Sequence, residues 1–376
     1  MCYSLITKMK KIGIITLHGI YNYGSFFQAF ATQEVLKKLG LEVEIIDYVY
    51  PNKIHKKKNS FISFFRHVIN NLLMDFFCGG KHMSFVRKYS LCKKKYFNLS
   101  KRYVSQESIY NDPPIYDVYV VGSDQIWRPL FTKGDGTYFA DFAPCGKKLV
   151  SYATSFGKTT LNDAYKIQYR IYLERIKYLS VREPSGKDII KELLPNKKVE
   201  VVLDPTFLLS SDYLKTMAIN PLPNCEYVFW YGYKSEEVLG FVRYIKKKTR
   251  WKIVRTNGNF LDLFDNDVHY ILDADPLEWL GLIKNAKFVI AGSFHGTALS
   301  INMNIPFIAL LQNKQDHDFR QINILEQFGI GEQVFSETES YDILFSKIFS
   351  INWHNVNQKR SQLVEKSVDY LKRAIL

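Results

Sequence analysis

Between Lys287 and Leu311, two apolar runs flank a short helical stretch, and this arrangement constrains the fold more than any other feature of the chain. Lys287-Phe-Val-Ile-Ala291 has the composition of a buried strand, as has Ile305-Pro-Phe-Ile-Ala-Leu-Leu311. The segment between them is a turn, Gly292-Ser-Phe-His-Gly296, followed by Thr297-Ala-Leu-Ser-Ile-Asn302, which is helical in composition. Strand, tight turn, helix and strand in that order describe a parallel α/β unit, whose turn lies at the carboxyl edge of the sheet where ligands bind. Gly292 and Gly296 let a ligand approach the backbone. The free amides at the helix start favour an anion. His295 can exchange a proton near neutral pH. The plain structural alternative is a packed or capping histidine in an ordinary turn.

The same pattern recurs along the chain. Lys11-Ile-Gly-Ile-Ile-Thr16 predicts a strand, His18–Ser25 a glycine-bearing loop, Phe26–Leu39 a helix ended by Gly40, and Glu42–Tyr48 a second strand. Further strands are expected at Tyr116–Gly122, Lys148–Ala153, Arg175–Val181 and Val201–Leu203, each closed by a polar or glycine-bearing turn. Pro221-Leu-Pro223 marks a linker. Tyr227–Tyr233 and Trp251–Arg255 then open a second set of strands, and Asp275-Pro276 reads as a helix cap with proline just inside it. A chain of 376 residues is too long for one compact core. The expected class is α/β, with two Rossmann-like domains facing a cleft. The first spans 10–210 and the second 225–345, followed by an amphipathic helical segment at 350–376.

Charge is unevenly placed. Between Lys53 and Arg102 stand thirteen Lys and Arg against one acid, Asp75, so this stretch carries nearly all of the net charge of +14. It reads as a basic helical insertion at about 53–102. Its centre, Phe61–Phe77, has apolar residues at helical spacing. A basic amphipathic helix can lie on a membrane or dock on the protein's own core; the lysine clusters suit an anionic lipid surface. No nucleic-acid motif accompanies the charge, so nucleic acid is not an expected partner. Five scattered cysteines show no metal-ligand spacing and no disulfide framework. No apolar run is long enough for a transmembrane helix. Met1–Lys8 is too short and mixed for a signal peptide, which leads to a cytoplasmic expectation.

Several turns offer chemistry. Arg182 directly follows an apolar strand, and its planar fork suits a carboxylate or phosphate; a surface pair with Glu183 is the alternative. Lys314 could meet phosphate as a point charge, with His317 and Arg320 assisting. Asp124 is a candidate base or sugar-hydroxyl acceptor, or else a helix cap. Trp127 offers a flat face to a sugar ring. Asn22 lies in the turn after the first strand, as a ligand contact or a turn former. Gly157-Lys-Thr159 lacks the first glycine of a phosphate-binding loop, since position 152 is Tyr152. The Asp-x-Asp pairs at 265–267, 273–275 and 316–318 are too short to indicate a metal, and none is expected.

Taken together, these segments resemble the polysaccharide pyruvyl transferase family. The matching pieces are Asn22-Tyr-Gly-Ser25 with Gln28-Ala29, Val121-Gly-Ser-Asp-Gln-Ile-Trp127, Ser151-Tyr-Ala153 with Ser155-Phe-Gly157, Ser180-Val-Arg-Glu183, Leu203-Asp-Pro205 and Ser293-Phe-His-Gly296. They keep one order across roughly residues 11–330. The resemblance implies a GT-B-like fold and transfer of a pyruvyl group from phosphoenolpyruvate to two sugar hydroxyls, giving a cyclic ketal, with no cofactor. It implies His295 as proton donor, with Asp124 taking a hydroxyl proton. Arg182, Lys314, Ser293, Phe294, Gly296 and Thr297 would line the donor site, and Asn22, Tyr23, Gly24 and Trp127 the acceptor site. Family members often carry arginine where this chain has Ser293 and leucine where it has Phe294, which leaves one donor contact unassigned. The implied setting is bacterial surface polysaccharide synthesis. The acceptor would be a lipid-linked oligosaccharide, and residues 53–102 would rest on the inner membrane face. Two rivals share the sequence features: a GT-B glycosyltransferase using a nucleotide sugar, and a non-catalytic binding protein.

Overall fold

The computed structural model of the protein describes residues 9–49, 80–258, 265–312 and 319–376. The first sheet contains β1 (Lys11–Ile15), β2 (Glu42–Tyr48), β3 (Leu99–Tyr103), β4 (Val118–Val121) and β5 (Lys148–Ser151). Their spatial order is β3-β2-β1-β4-β5, and every pairing is parallel. Bridges from Val150 to Tyr178 and from Thr154 to Val181 extend this edge to β6 (Leu179–Val181), which pairs with β7 (Val199–Val201). Strands such as Val118-Tyr-Val-Val121 are apolar at every position and buried at every position, as expected of a sheet covered on both faces.

The second sheet contains β8 (Tyr227–Tyr231), β9 (Lys252–Arg255), β10 (His269–Tyr270), β11 (Val289–Ala291) and β12 (Phe307–Ala309), in the order β10-β9-β8-β11-β12. Both sheets therefore run outward in two directions from their first strand. Each has a switch point, between β1 and β4 and between β8 and β11, where the connections diverge and leave a crevice at the carboxyl edge. At the second switch point a Cβ on Gly292 would collide with the backbone of Gly232, so glycine is needed for the chain to pass. The expected α/β class with two Rossmann-like domains is the observed one.

The basic stretch differs from expectation. Its described part is no insertion. Lys81–Tyr96 is a helix that buries Tyr89 and Cys92 against the first domain's core, and Leu99–Tyr103 is the edge strand β3. Phe85, Tyr89, Cys92 and Tyr96 recur at helical spacing, but the neighbouring lysines mask that stripe in sequence. The Phe61–Phe77 reading lies outside the described residues. Among those described, no helix is long and apolar enough to cross a membrane.

Two features bring the sheets together. Tyr23 stacks on Trp279 at 5.0 Å and 9°, and its hydroxyl donates to the Ala274 carbonyl. The final helix, Trp353–Ile375, spans both domains. Arg360 donates to the Asn302 carbonyl on one side, while the Tyr370 hydroxyl donates to the Ser151 carbonyl on the other.

Candidate active site

The turns after β4, β6 and β7 bring four ionisable groups to one place. After β4 the chain enters Gly122-Ser123-Asp124, and Asp124 adopts a φ of 77°, a left-handed conformation uncommon for non-glycine residues. Local hydrogen bonds hold it there. The Asp124 carbonyl accepts from Ser155 N at 3.0 Å, and its carboxylate accepts from Gln125 N at 2.8 Å and from Ser25 Oγ at 2.7 Å. Arg182 and Glu183 follow β6, and Asp204 follows β7; all three are almost fully buried. The Arg182 guanidinium donates through Nε to Glu183 and through one terminal nitrogen to Asp204, both at 2.8 Å. Asp204 also accepts from Ser123 Oγ at 2.9 Å and from the Thr206 amide and hydroxyl. Burial alone would push the Asp204 carboxyl up. The His295 ring and Arg182 outweigh it, and with Thr206 they hold the group well below the usual carboxylate range.

The second domain faces this frame with the helix Phe294–Met303. Ser293 is its N-cap and accepts from Gly296 N through Oγ at 3.1 Å, while its carbonyl accepts from Thr297 N. The ring of Phe294 lies 4.0 Å from the Arg182 guanidinium. His295 packs on the backbone of Gly24, where any Cβ would overlap the imidazole. Its Nε2 stands 3.7 Å from Asp204, beyond hydrogen-bond range, and has no hydrogen-bond partner among the described residues. One terminal nitrogen of Arg182 and the Nε of Arg320 are likewise shut off from solvent without a partner. Burial, then the like charge of Arg182, push the Arg320 guanidinium down to about 10, so it remains a cation at neutral pH. Buried polar groups are nearly always hydrogen-bonded, and unsatisfied ones call for an explanation. Unpartnered nitrogens on Arg182 and His295, two residues that both approach the same Asp204 oxygen, fit an anionic ligand.

Several site expectations change. Trp127 is fully buried. Its indole N–H donates to the Tyr138 carbonyl and its ring stacks on Phe139, so it forms core and offers no face to a sugar. Tyr23 is buried as the brace between domains and cannot contact an acceptor freely. Asn22 is exposed and is the N-cap of the helix Tyr23–Lys38, accepting from Ser25 N at 3.0 Å. Thr297 is fully buried and its hydroxyl accepts from Gln321, which places its side chain away from any ligand. Gly24 lies at the site as the seat of His295. Lys314 and His317 lie outside the described residues. Asp204 was not singled out in sequence, although it sits in the segment Leu203-Asp-Pro205; Ser25 and Ser123 were missed too, while the Arg182–Glu183 pair forms buried and not at the surface. Each is an ordinary residue in sequence, and only the convergence of distant turns marks it.

Residues 22–313 match the family described as polysaccharide pyruvyl transferase. The chain belongs to this family. A polysaccharide pyruvyl transferase family member is a transferase, and the match spans every residue of the Asp124–Arg182–Asp204–His295 arrangement. None of the curated proteins matches the chain in sequence. Among solved structures it is similar to the UDP-GlcNAc 2-epimerase from Methanocaldococcus jannaschii, with a TM-score of 0.55, 14% identity, and coverage of 95% of this chain and 99% of that one. A second UDP-N-acetylglucosamine 2-epimerase gives 0.55 at 11% identity, covering 96% and 95%. Arabidopsis thaliana UGT89C1, complexed with UDP-L-rhamnose, gives 0.52 at 11% identity, covering 98% and 100%. At these identities the likeness is one of fold, and it is the fold of GT-B glycosyltransferases and epimerases.

Proposed function

We propose that this transferase moves a pyruvyl group from phosphoenolpyruvate to two hydroxyls of one sugar in a bacterial surface polysaccharide, forming a cyclic ketal. The observation that carries this reading is the pair of orphaned donors, on Arg182 and His295, at a shared buried carboxylate. Phosphoenolpyruvate places a carboxylate and a phosphate close together, and Arg182 and Arg320 are suited to hold them as charge-assisted hydrogen-bond donors. Ser293 stands where many family members carry arginine, and Arg320 supplies a cation from a different element. The cap uses the amides of Gly296 and Thr297, leaving those of Phe294 and His295 for the anion.

His295 protonates the methylene carbon, which makes the adjacent carbon electrophilic. One sugar hydroxyl attacks that carbon, phosphate leaves, and the second hydroxyl closes the ring. Of the two hydroxyl protons, one balances the proton gained by the methyl group and the other departs with phosphate. Asp124 takes a hydroxyl proton, because each of its oxygens keeps a lone pair beyond the bonds from Ser25 and Gln125. Fixed cations stabilise the leaving phosphate, so no cofactor is required. Lys314 is proposed as a further phosphate contact. The acceptor is proposed to be a lipid-linked oligosaccharide met at the inner membrane face, with the basic residues between 53 and 102 against anionic lipid.

The test is phosphate release from phosphoenolpyruvate with galactosyl and N-acetylhexosaminyl acceptors, with product mass recorded. An acceptor-dependent gain of a pyruvyl ketal supports the proposal. Thermal stabilisation by a nucleotide sugar and none by phosphoenolpyruvate overturns it.

A further inference from the structure

The carboxyl edge of the first sheet carries a second feature that the chemistry above does not use. Alongside β2 and β3, a cavity of about 710 Å³ is walled by the loop Gly19–Tyr21, by Asp47, by Asn98 and by three cations, Lys93, Lys94 and Arg102. Asp47 is the one acid in the wall, and it is engaged: His18 Nε2 lies 3.1 Å from it. Among the described residues no hydrogen bond or ion pair involves the side chains of Lys93, Lys94 or Arg102. Lys93 is half-buried. Burial pushes its ammonium down, Asp47 pulls it back up, and the like charge of Arg102 pushes it down again. Three cations share this wall with one carboxylate, Asp47, which His18 also engages, and the excess positive charge favours an anion of more than one charge.

The cavity connects to the reacting centre along the chain. Tyr21 lines it, and three residues later the backbone of Gly24 supports the imidazole of His295. Three residues span at most about 11 Å of extended chain, a separation that one or two sugar rings bridge. Tyr21 is also half-exposed, which gives a sugar ring an aromatic face on the way.

We infer that this cavity holds the phosphate or diphosphate by which the acceptor sugar is carried, so that the enzyme acts on a glycosyl phosphate and not on a finished, uncharged polysaccharide. The inference rests on the pyruvyl-transfer reading for the identity of the acceptor, but the anion site itself stands apart from the donor site.

Titration calorimetry on the full chain tests it, with inorganic pyrophosphate and N-acetylglucosamine 1-phosphate as probes in the presence of saturating phosphoenolpyruvate. Both probes should bind, and unphosphorylated N-acetylglucosamine should bind at least tenfold more weakly. The double variant Lys93→Gln/Arg102→Gln should weaken both phosphate probes by about tenfold or more. Phosphoenolpyruvate affinity should not change. The single variant Lys94→Gln, at an exposed position, should give a smaller loss in the same direction without a folding defect. Phosphate binding that is absent, or unaltered in both variants, overturns the inference. So does loss of binding to phosphatidylglycerol vesicles with the small probes unaffected, which would leave these three cations to the lipid contact alone. If phosphoenolpyruvate fails to bind while pyrophosphate binding still depends on Lys93 and Arg102, the anion site stands and the donor reading falls.

Discussion

The two sides of the candidate active site are built differently. On the first domain, Asp124, Arg182, Glu183 and Asp204 are locked by short hydrogen bonds from Ser25, Ser123, Gln125 and Thr206. On the second, His295 Nε2 and Arg320 Nε have no partner among the described residues, whereas the first leaves only one terminal nitrogen of Arg182 without one. One side is a largely satisfied electrostatic frame with a single open donor, and the other faces it with nitrogens whose partner must come from outside. A frame whose hydrogen bonds are already made undergoes little reorganisation during reaction, which is where preorganised sites draw their effect. The contrast teaches that substitutions on the frame should act mainly through stability, and substitutions facing it mainly through activity.

Asp204→Asn should break that contrast most severely. It removes the carboxylate that Arg182 and His295 share and leaves Arg182 paired with Glu183 alone, a loss of up to about 3 kcal/mol, the low end for breaking a buried pair. Urea unfolding measures this, and wild-type stability in the variant would show that the frame is not electrostatic. The pH dependence follows. The Asp204 carboxyl lies below its unfolded value, so its stabilisation is complete above about pH 4 and fades as pH falls from there towards the folded value. Wild-type stability should therefore decline below about pH 4, and the Asn variant should lose part of that slope. His295→Ala should be the reverse case: turnover falls by about 10²–10⁴-fold, while unfolding shifts by only about 1 kcal/mol. Equal losses of stability and activity would erase the distinction between the two sides.

Gly24→Ala sharpens the comparison, because it adds one carbon where the domains touch. The new Cβ meets the His295 imidazole and must displace it, so activity should drop by about 10²-fold, with the helix Tyr23–Lys38 intact by circular dichroism. The smallest effect is expected from Arg320→Met. Donor affinity should fall by about tenfold through the loss of one charged hydrogen bond. Thermal stability should hold or rise, since an orphaned buried donor is removed. Calorimetry with phosphoenolpyruvate reads the first and a melting curve the second.

Much of the scaffold was legible in the residues. Apolar runs such as Lys11–Ile15 and Val289–Ala291 appear as strands close to the predicted bounds, and the Asp275-Pro276 cap forms as expected, with Glu278 adding the second half of a capping box. The strand β3 escaped notice because Leu99-Ser-Lys-Arg-Tyr103 is half polar, as an edge strand can be. Arg182 was legible because it directly follows a buried strand and His295 because it opens the helix after the next turn, and the parallel topology carries such residues to one edge.

What sequence alone determined was the α/β class, the strand-ending turns that hold the candidate site residues, and the family pattern, because these depend on periodicity and local order along the chain. Tertiary structure decided which of those turns meet. Trp127 and Asp124 are three residues apart, yet the indole is sealed in the core while the carboxylate stays at the site. Asp204, unremarkable in sequence, became the hub because the connection after β7 delivers it to Arg182 and His295. Burial and long-range contact depend on how the sheets close on each other, and no local pattern encodes that closure.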